Sequence, residues 1–150
     1  MFYQSRAPMR EGLGTYLLAY DDSDSAQKAL RRTIELVNPR DLVVLLWVIP
    51  SQRGNPGTLP GLAPEGPAER AASVERLNDA VGAVKREGRQ AAALLLEGDV
   101  AKIICDTADQ LEADLIILGH KGVSRIGPLA LGSVADRVAH LSNRRVLIVR

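Results

Sequence analysis

Residues 115–134 read LIILGHKGVSRIGPLALGSV, and this stretch decides the fold. It begins with a short run of mostly branched apolar residues, 115–118, which is typical of a strand buried on both faces. A glycine ends the run and a loop follows. From Val134 onward, apolar residues recur at helical spacing. The stretch therefore predicts a strand, a loop and a helix that opens at Gly132 and Ser133.

Similar apolar runs occur elsewhere in the chain, and segments of helical period separate them. Ser23 and Asp99 stand where N-caps of the first and third helices are expected. The runs, numbered β1 to β5, are 16–20, 42–49, 91–96, 115–118 and 146–149, and the helical segments, α1 to α4, are 26–37, 67–87, 100–111 and 134–141. This strict alternation predicts an α/β fold of three layers, α/β/α, around a five-stranded parallel sheet.

Composition and charge exclude several classes of function. The chain has 150 residues, 46% hydrophobic and 25% charged, which fits a single domain over 1–150. Nineteen Lys and Arg oppose 18 Asp and Glu, and aromatic residues make up only 3%. We therefore expect neither nucleic-acid binding nor attraction to a membrane surface.

The sequence also lacks targeting signals. The first residues contain no apolar segment of the signal-peptide type, and the longest apolar run, 42–49, is far shorter than the roughly 20 residues that cross a bilayer. One cysteine, Cys105, excludes an internal disulfide. We expect a cytoplasmic protein.

A segment rich in proline and glycine, residues 50–67, interrupts the alternation after β2. Neither a helix nor a strand tolerates this density of the two residues, so the sequence predicts a long loop. Two interpretations stay open here, a lid over a site and a plain surface excursion.

The loop after β4 carries the candidate binding chemistry. In an open parallel sheet, ligands bind outside the carboxyl ends of the strands, where the strand order reverses. Gly119 and Gly122 permit positive φ and a close approach of backbone amides to a phosphate. Gly132 and Ser133 open α4, where unpaired N–H groups and the helix dipole favour an anion. No lysine precedes Ser133, so this is not a Walker loop.

The pattern Gly119-x2-Gly122-x9-Gly132-Ser133 resembles the G-x2-G-x9-G-[ST] signature of ATP-binding universal stress proteins, the UspA-like family. The resemblance extends over nearly the whole chain, through segments 17–23, 45–48, 97–103, 113–119 and 145–149. It implies a Rossmann-like fold of the HUP type (adenine nucleotide alpha-hydrolase-like). It also implies a stress-response or regulatory module that binds ATP, with Mg²⁺ as a candidate companion ion.

The resemblance further implies roles for the residues at matching positions. The adenine and ribose side comprises Ala19, Tyr20, Asp21, Val48, Leu118 and Gly119. The phosphate side comprises Lys121, Gly122, Arg125, Gly132, Ser133 and Val134. These residue types suit the roles, because a carboxylate accepts hydrogen bonds from ribose hydroxyls and helix amides donate to phosphate.

Three positions depart from the family pattern. Asp22 replaces the common glycine after Asp21, and we expect its charge and Cβ beside the nucleotide to weaken ATP binding or to hold Mg²⁺. Trp47 stands in place of the common histidine of β2, and Arg144 and Arg145 in place of the usual Cys-Pro before β5. We expect Trp47 in the core.

Simpler explanations exist for several candidates. Asp21 and Asp22 are also typical of a helix cap or a turn, and the glycines of plain loop geometry. Lys121 and Arg125 can be solvated charges without a ligand.

No catalytic residue is predicted. Ser133, Asp136 and His140 share one helix and cannot build a hydrolase triad. His120 and His140 lack partners at metal-ligand spacing, and Cys105 is expected to pack in the core rather than act as a nucleophile. Nothing in the sequence marks a base that positions water, so whether ATP is slowly hydrolysed stays open.

Two alternative functions are also open. A receiver-like phosphoacceptor places two adjacent acids after β1, as Asp21 and Asp22 do, but also needs an aspartate after β3, where Glu97 stands. A dimeric scaffold of the same fold would act without nucleotide turnover. Strand 146–150 reads as an uncovered apolar edge, and both it and the family resemblance predict a homodimer through β5.

Overall fold

The computed structural model describes residues 13–51, 66–121 and 131–150, along which strands and helices alternate in the predicted order. The strands are β1 (Thr15–Ala19), β2 (Leu42–Pro50), β3 (Gln90–Gly98), β4 (Leu115–Gly119) and β5 (Val146–Val149). The helices are α1 (Asp24–Leu36), α2 (Pro67–Arg86), α3 (Val100–Gln110) and α4 (Ser133–Leu141). The alternation read from the sequence is therefore confirmed.

The predicted loop 50–67 is shorter at both ends than the sequence indicated. Pro50 is the last residue of β2, and Pro67 is the first residue of α2, a position where the missing N–H of proline costs no helical hydrogen bond. The interior of this loop, residues 52–65, lies outside the described residues.

All five strands run parallel, in the order β3-β2-β1-β4-β5, which confirms the predicted sheet. Leu17 of β1 lies opposite Val44 of β2 on one side and opposite Ile116 of β4 on the other. The chain builds outward from β1 to β3 and then returns to add β4 and β5 on the opposite side. The strand order therefore reverses between β1 and β4.

This strand order makes the receiver-like hypothesis wrong. Receiver domains follow the order 2-1-3-4-5, which places β3 beside β1. Here β3 is an edge strand with β2 between it and β1, and Glu97 on β3 lies 3.4 Å from Arg70 of α2. The acids after β1 and β3 therefore cannot share one phosphoacceptor site.

Two apolar layers hold the helices on the sheet. Leu18, fully buried, packs in the cluster beneath α1 and α2, whereas its fully buried neighbour Leu17 packs beneath α3 and α4. Burying one such leucine stabilises the fold by about 1.5–3 kcal/mol. Within the described ranges, no helix combines the length and the hydropathy that a bilayer-spanning segment needs.

Both predicted N-caps are confirmed. The Ser23 hydroxyl accepts a hydrogen bond from the Ala26 amide at 3.2 Å, and an Asp99 carboxylate oxygen accepts one from the Lys102 amide at 2.9 Å. Each cap directly precedes a helix that follows a strand, so both lie at the carboxyl edge of the sheet.

Candidate functional site

A cleft opens at the carboxyl ends of β1 and β4, where the strand order reverses. It holds about 500 Å³ of empty space, counting the part that is open to solvent. Its walls are formed by Ala19, Tyr20, Asp21, Ala26, Leu46, Val48, Val100, Ile104, Leu118, Gly119, Lys121, Val134 and Ala135. Apolar walls with a few polar groups near them are typical of small-molecule sites.

The structure brings most of the predicted binding residues together. The wall contains Ala19, Tyr20, Asp21, Val48, Leu118, Gly119, Lys121 and Val134 from that set. Gly132 and Ser133 lie at the start of α4, just before Val134, but are not wall residues. Gly122 and Arg125 lie outside the described residues.

Five apolar residues complete the wall and were not predicted from the sequence: Ala26, Leu46, Val100, Ile104 and Ala135. The spacing of two of these residues along their elements indicated which face they lie on. Leu46 lies on the same face of β2 as Val48, and Ile104 lies one helical turn after Val100. Because core and cleft share these faces, periodicity alone does not tell a wall residue from a core residue.

Asp21 both shapes the turn after β1 and lines the cleft. One of its carboxylate oxygens, Oδ1, accepts hydrogen bonds from the Ser23 amide at 3.1 Å and from the Ser23 hydroxyl at 2.6 Å. The simpler explanation of Asp21 as a turn residue is therefore correct for Oδ1. The hydrogen bonds found among the described residues leave Oδ2 able to accept from a ligand.

Asp22 does not lie where the sequence analysis placed it. Its carboxylate is absent from the cleft wall and accepts hydrogen bonds from the Tyr20 hydroxyl at 2.9 Å and from the Gln27 amide group at 3.2 Å. Its second oxygen lies 3.7 Å from Nε of Arg76 on α2. The Asp22 carboxylate thus contacts its own turn, α1 and an arginine of α2, and it is not part of the cleft wall.

Tyr20 and Trp47 form an aromatic pair behind the cleft. Their ring centroids are 6.1 Å apart and their planes meet at 68°, an edge-to-face contact. Trp47 is 8% exposed and belongs to the core beneath α1 and α2, as predicted. Burial and the hydrogen bond to Asp22 raise the pKa of Tyr20 far above its ordinary value, so its hydroxyl stays a donor.

Gly119 is required for a different reason than the sequence analysis gave. Positive φ among the described glycines occurs at Gly88 and Gly98, not at Gly119. A Cβ at Gly119 would lie 2.6 Å from the backbone carbonyl carbon of Ser25 and 2.8 Å from its oxygen. The glycine therefore lets α1 pack against the end of β4, and this contact closes one side of the cleft.

His120 connects the four elements around the cleft mouth. Its amide donates to Val149 of β5 at 2.9 Å, and its carbonyl accepts from the Gly132 amide at the start of α4 at 2.6 Å. Its Nδ1 lies 3.3 Å from the Ser25 hydroxyl on α1. These contacts tie both ends of segment 121–131 to the same point of the sheet.

The N-terminus of α4 differs from those of α1 and α3. Ser23 and Asp99 cap α1 and α3, and the Lys102 amide and the Arg137 guanidinium hold the pKa of Asp99 below its usual range. Gly132 caps α4 without a side-chain hydrogen bond. The first-turn residues Val134 and Ala135 of α4 line the cleft, so this helix end, which Gly132 caps without a side chain, faces a ligand space.

Among the described residues we looked for a metal-binding cluster and for a reactive cysteine. No three His, Cys, Asp or Glu side chains in that part of the chain lie close enough together to hold a metal ion. Cys105 is buried on α3 behind the cleft wall, and burial raises the pKa of its thiol. The arrangement is therefore suited to binding a ligand rather than to nucleophilic catalysis through Cys105.

Comparison with known proteins identifies the family of the chain. The family model described as "Universal stress protein family" matches residues 14–150. A curated universal stress protein from Thermus aquaticus is 36% identical over 140 residues, covering 91% of this chain and 98% of that protein.

Two solved structures of similar fold contain adenine nucleotides. A universal stress protein in complex with cAMP is 25% identical, with a TM-score of 0.67, over 91% of this chain and 96% of that one. The universal stress protein from Archaeoglobus fulgidus in complex with dAMP is 25% identical, with a TM-score of 0.68, over 92% and 98%.

The contact at Gly119 predicts a stability change. Gly119→Ala is expected to lower the free energy of unfolding by about 1–3 kcal/mol, because α1 or β4 must shift to accept the Cβ. Denaturant unfolding followed by circular dichroism measures this change.

Gly82→Ala is the matched control, since a Cβ there meets only the end of the Arg86 side chain within α2. It is expected to be neutral or to stabilise by about 0.5–1 kcal/mol. Equal stability of Gly119→Ala and the unchanged protein would contradict the steric account.

Proposed function

The chain belongs to the universal stress protein family, and from this membership we propose that its cleft binds an adenine nucleotide, specifically ATP, as the ligand of a stress-response or regulatory module. The observation that carries the proposal is the composition of the cleft. The cleft combines an apolar interior with a carboxylate, Asp21, and with the helix N-terminus at Gly132, which has no side-chain cap. These are the three kinds of environment that a base, a ribose and phosphates need.

The apolar part of the cleft suits an adenine ring. Val48 and Leu46 from β2 and Leu118 from β4 supply flat, branched surfaces, while the small side chain of Ala19 leaves room between them. Burying an aromatic base against such surfaces supplies affinity through the removal of apolar area from water.

We assign the ribose contact to Asp21 and the phosphate contacts to the start of α4. Oδ2 of Asp21 can accept from a ribose hydroxyl while Oδ1 holds the turn. The amides of the first turn of α4, the Ser133 hydroxyl and the Lys121 ammonium group supply donors and positive charge to phosphates. We assign Gly122 and Arg125 to the same phosphate region from the sequence pattern.

Mg²⁺ would enter this site mainly with the nucleotide. Asp21 is the only carboxylate in the described cleft wall, and Mg²⁺ is commonly held by phosphate oxygens, water and one or two carboxylates. The proposal is confined to binding, because Asp21 is already a hydrogen-bond acceptor in the turn and no other described wall residue is a candidate base.

Calorimetric titration tests the proposal. We expect ATP with Mg²⁺ to bind more tightly than AMP, and AMP more tightly than adenosine, because each phosphate adds contacts at Lys121 and α4. Lys121→Gln is expected to weaken ATP binding by about 3- to 10-fold and to leave adenosine binding unchanged, as loss of one charge-assisted contact implies.

Lys85→Gln provides the control, since Lys85 is an exposed lysine in the last turn of α2. If millimolar ATP with Mg²⁺ releases no heat and shifts no melting temperature in the unchanged protein, the nucleotide proposal is wrong. A dimer without nucleotide binding would instead favour the scaffold alternative.

We also propose that the protein forms a homodimer through β5. β5 is the last strand of the described sheet, and within those residues it pairs only with β4. Val146, Leu147 and Ile148 are only partly buried, so pairing with a second copy would cover apolar side chains as well as unpaired backbone groups.

Sedimentation velocity at tens of micromolar protein measures the oligomeric state. We expect a species of about twice the chain mass of 16.2 kDa, and we expect Ile148→Asp to shift the distribution toward monomer by placing a charge at the paired edge. A monomeric unchanged protein would rule the β5 dimer out.

A further inference from the structure

We propose that Asp22 is a positioning residue that holds the turn after β1, so that Asp21 presents its carboxylate to the ribose of a bound nucleotide. This inference rests on the proposed nucleotide function and assigns a new part of it to a residue outside the cleft. Three contacts carry it, one within the turn, from Tyr20, and two from the helices α1 and α2, from Gln27 and Arg76.

The backbone of Asp22 has a conformation that needs support. Its φ is +60°, in the left-handed region that glycine adopts freely and that other residues occupy at a cost. Aspartate tolerates this region better than most residues, but nothing in its own backbone preference favours it. The position therefore keeps its geometry because side-chain contacts hold it there.

Those contacts use both oxygens of the Asp22 carboxylate. Oδ1 accepts from the Tyr20 hydroxyl at 2.9 Å and from Nε2 of Gln27 at 3.2 Å. Oδ2 lies 3.7 Å from Nε of Arg76, which connects the turn to α2. The Asp22 side chain is 29% exposed and that of Arg76 is 59% exposed, so solvent screens the ion pair more than the two hydrogen bonds.

Asp21 lies between two fixed neighbours as a result. On one side, the Tyr20 amide donates a hydrogen bond to the Leu46 carbonyl of β2 at 2.9 Å, and the Tyr20 ring packs against the Trp47 ring. On the other side, Asp22 is held by Gln27 and Arg76. The peptide that carries Asp21 has little freedom left, and its carboxylate is preorganised toward the cleft, which lowers the cost of binding.

A glycine at position 22 would relieve the backbone and remove the three contacts together. The turn would then fit its own φ without strain but would no longer be attached to α1 and α2. Asp22→Gly would therefore relieve backbone strain and at the same time leave Asp21 with only its own hydrogen bonds to Ser23.

The experiment compares ATP with dideoxy-ATP, which lacks both ribose hydroxyls, in the unchanged protein and in Asp22→Gly and Arg76→Gln. The unchanged protein is expected to prefer ATP by about tenfold, as a hydrogen bond to a carboxylate implies. In Asp22→Gly this preference is expected to fall about fivefold, and in Arg76→Gln about two- to threefold, with little change in the binding of dideoxy-ATP.

A general loss of structure would weaken the binding of both nucleotides equally. The ratio of the two affinities therefore reports the position of Asp21 and not the stability of the protein. Asp21→Asn sets the benchmark, and adding Asp22→Gly to it should change the ratio no further if Asp22 acts through Asp21. Arg32→Gln is the matched control for Arg76, since Arg32 forms an exposed ion pair with Glu35 at 2.7 Å within α1. Circular dichroism checks that each variant is folded.

The outcomes distinguish the two proposals. If the unchanged protein binds neither nucleotide, the proposed function itself fails. If it prefers ATP and both Asp22→Gly and Arg76→Gln keep that preference in full, nucleotide binding stands and the positioning role of Asp22 is wrong. An unequal fall in the ratio, largest for Asp22→Gly and absent for Arg32→Gln, supports it.

Discussion

The close approach of α1 to the end of β4 is the contact on which the rest of the site depends. At Gly119 the strand has no side chain, and the Ser25 backbone occupies the space where one would stand. The approach fixes the start of α1, and with it the turn that carries Asp21. It also leaves His120 within 3.3 Å of the Ser25 hydroxyl, beside its backbone bonds to β5 and α4. The absence of a Cβ at Gly119 thus allows the contact that positions both the turn with Asp21 and the segment with His120.

Local signals in the sequence were sufficient for the element order, the sheet and the helix starts. The caps at Ser23 and Asp99 depend on residues three positions apart, and the apolar runs report burial on both faces of a parallel sheet. The wall residues Ala19, Val48 and Leu118 were predictable for a further reason, because strand ends at a switch point form a crevice in any open parallel sheet.

Contacts between distant segments were not predictable in the same way. The role of Gly119 depends on Ser25, and the orientation of Asp22 depends on Arg76, an exposed arginine in a helix with many exposed charges. No spacing rule links such pairs, since they meet only after the sheet and both helices have formed. The sequence therefore indicated that Asp22 departs from the family pattern, but not that its carboxylate contacts Tyr20, Gln27 and Arg76.

The edge-to-face contact between Tyr20 and Trp47 has an optical consequence. The chain contains a single tryptophan, and its ring touches a residue of the cleft wall without belonging to that wall. Its emission therefore arises from one known place, shielded from solvent and separated from the ligand space by one aromatic ring. The molecule carries its own fluorescent reporter of the turn, and following it requires neither a dye nor a substitution.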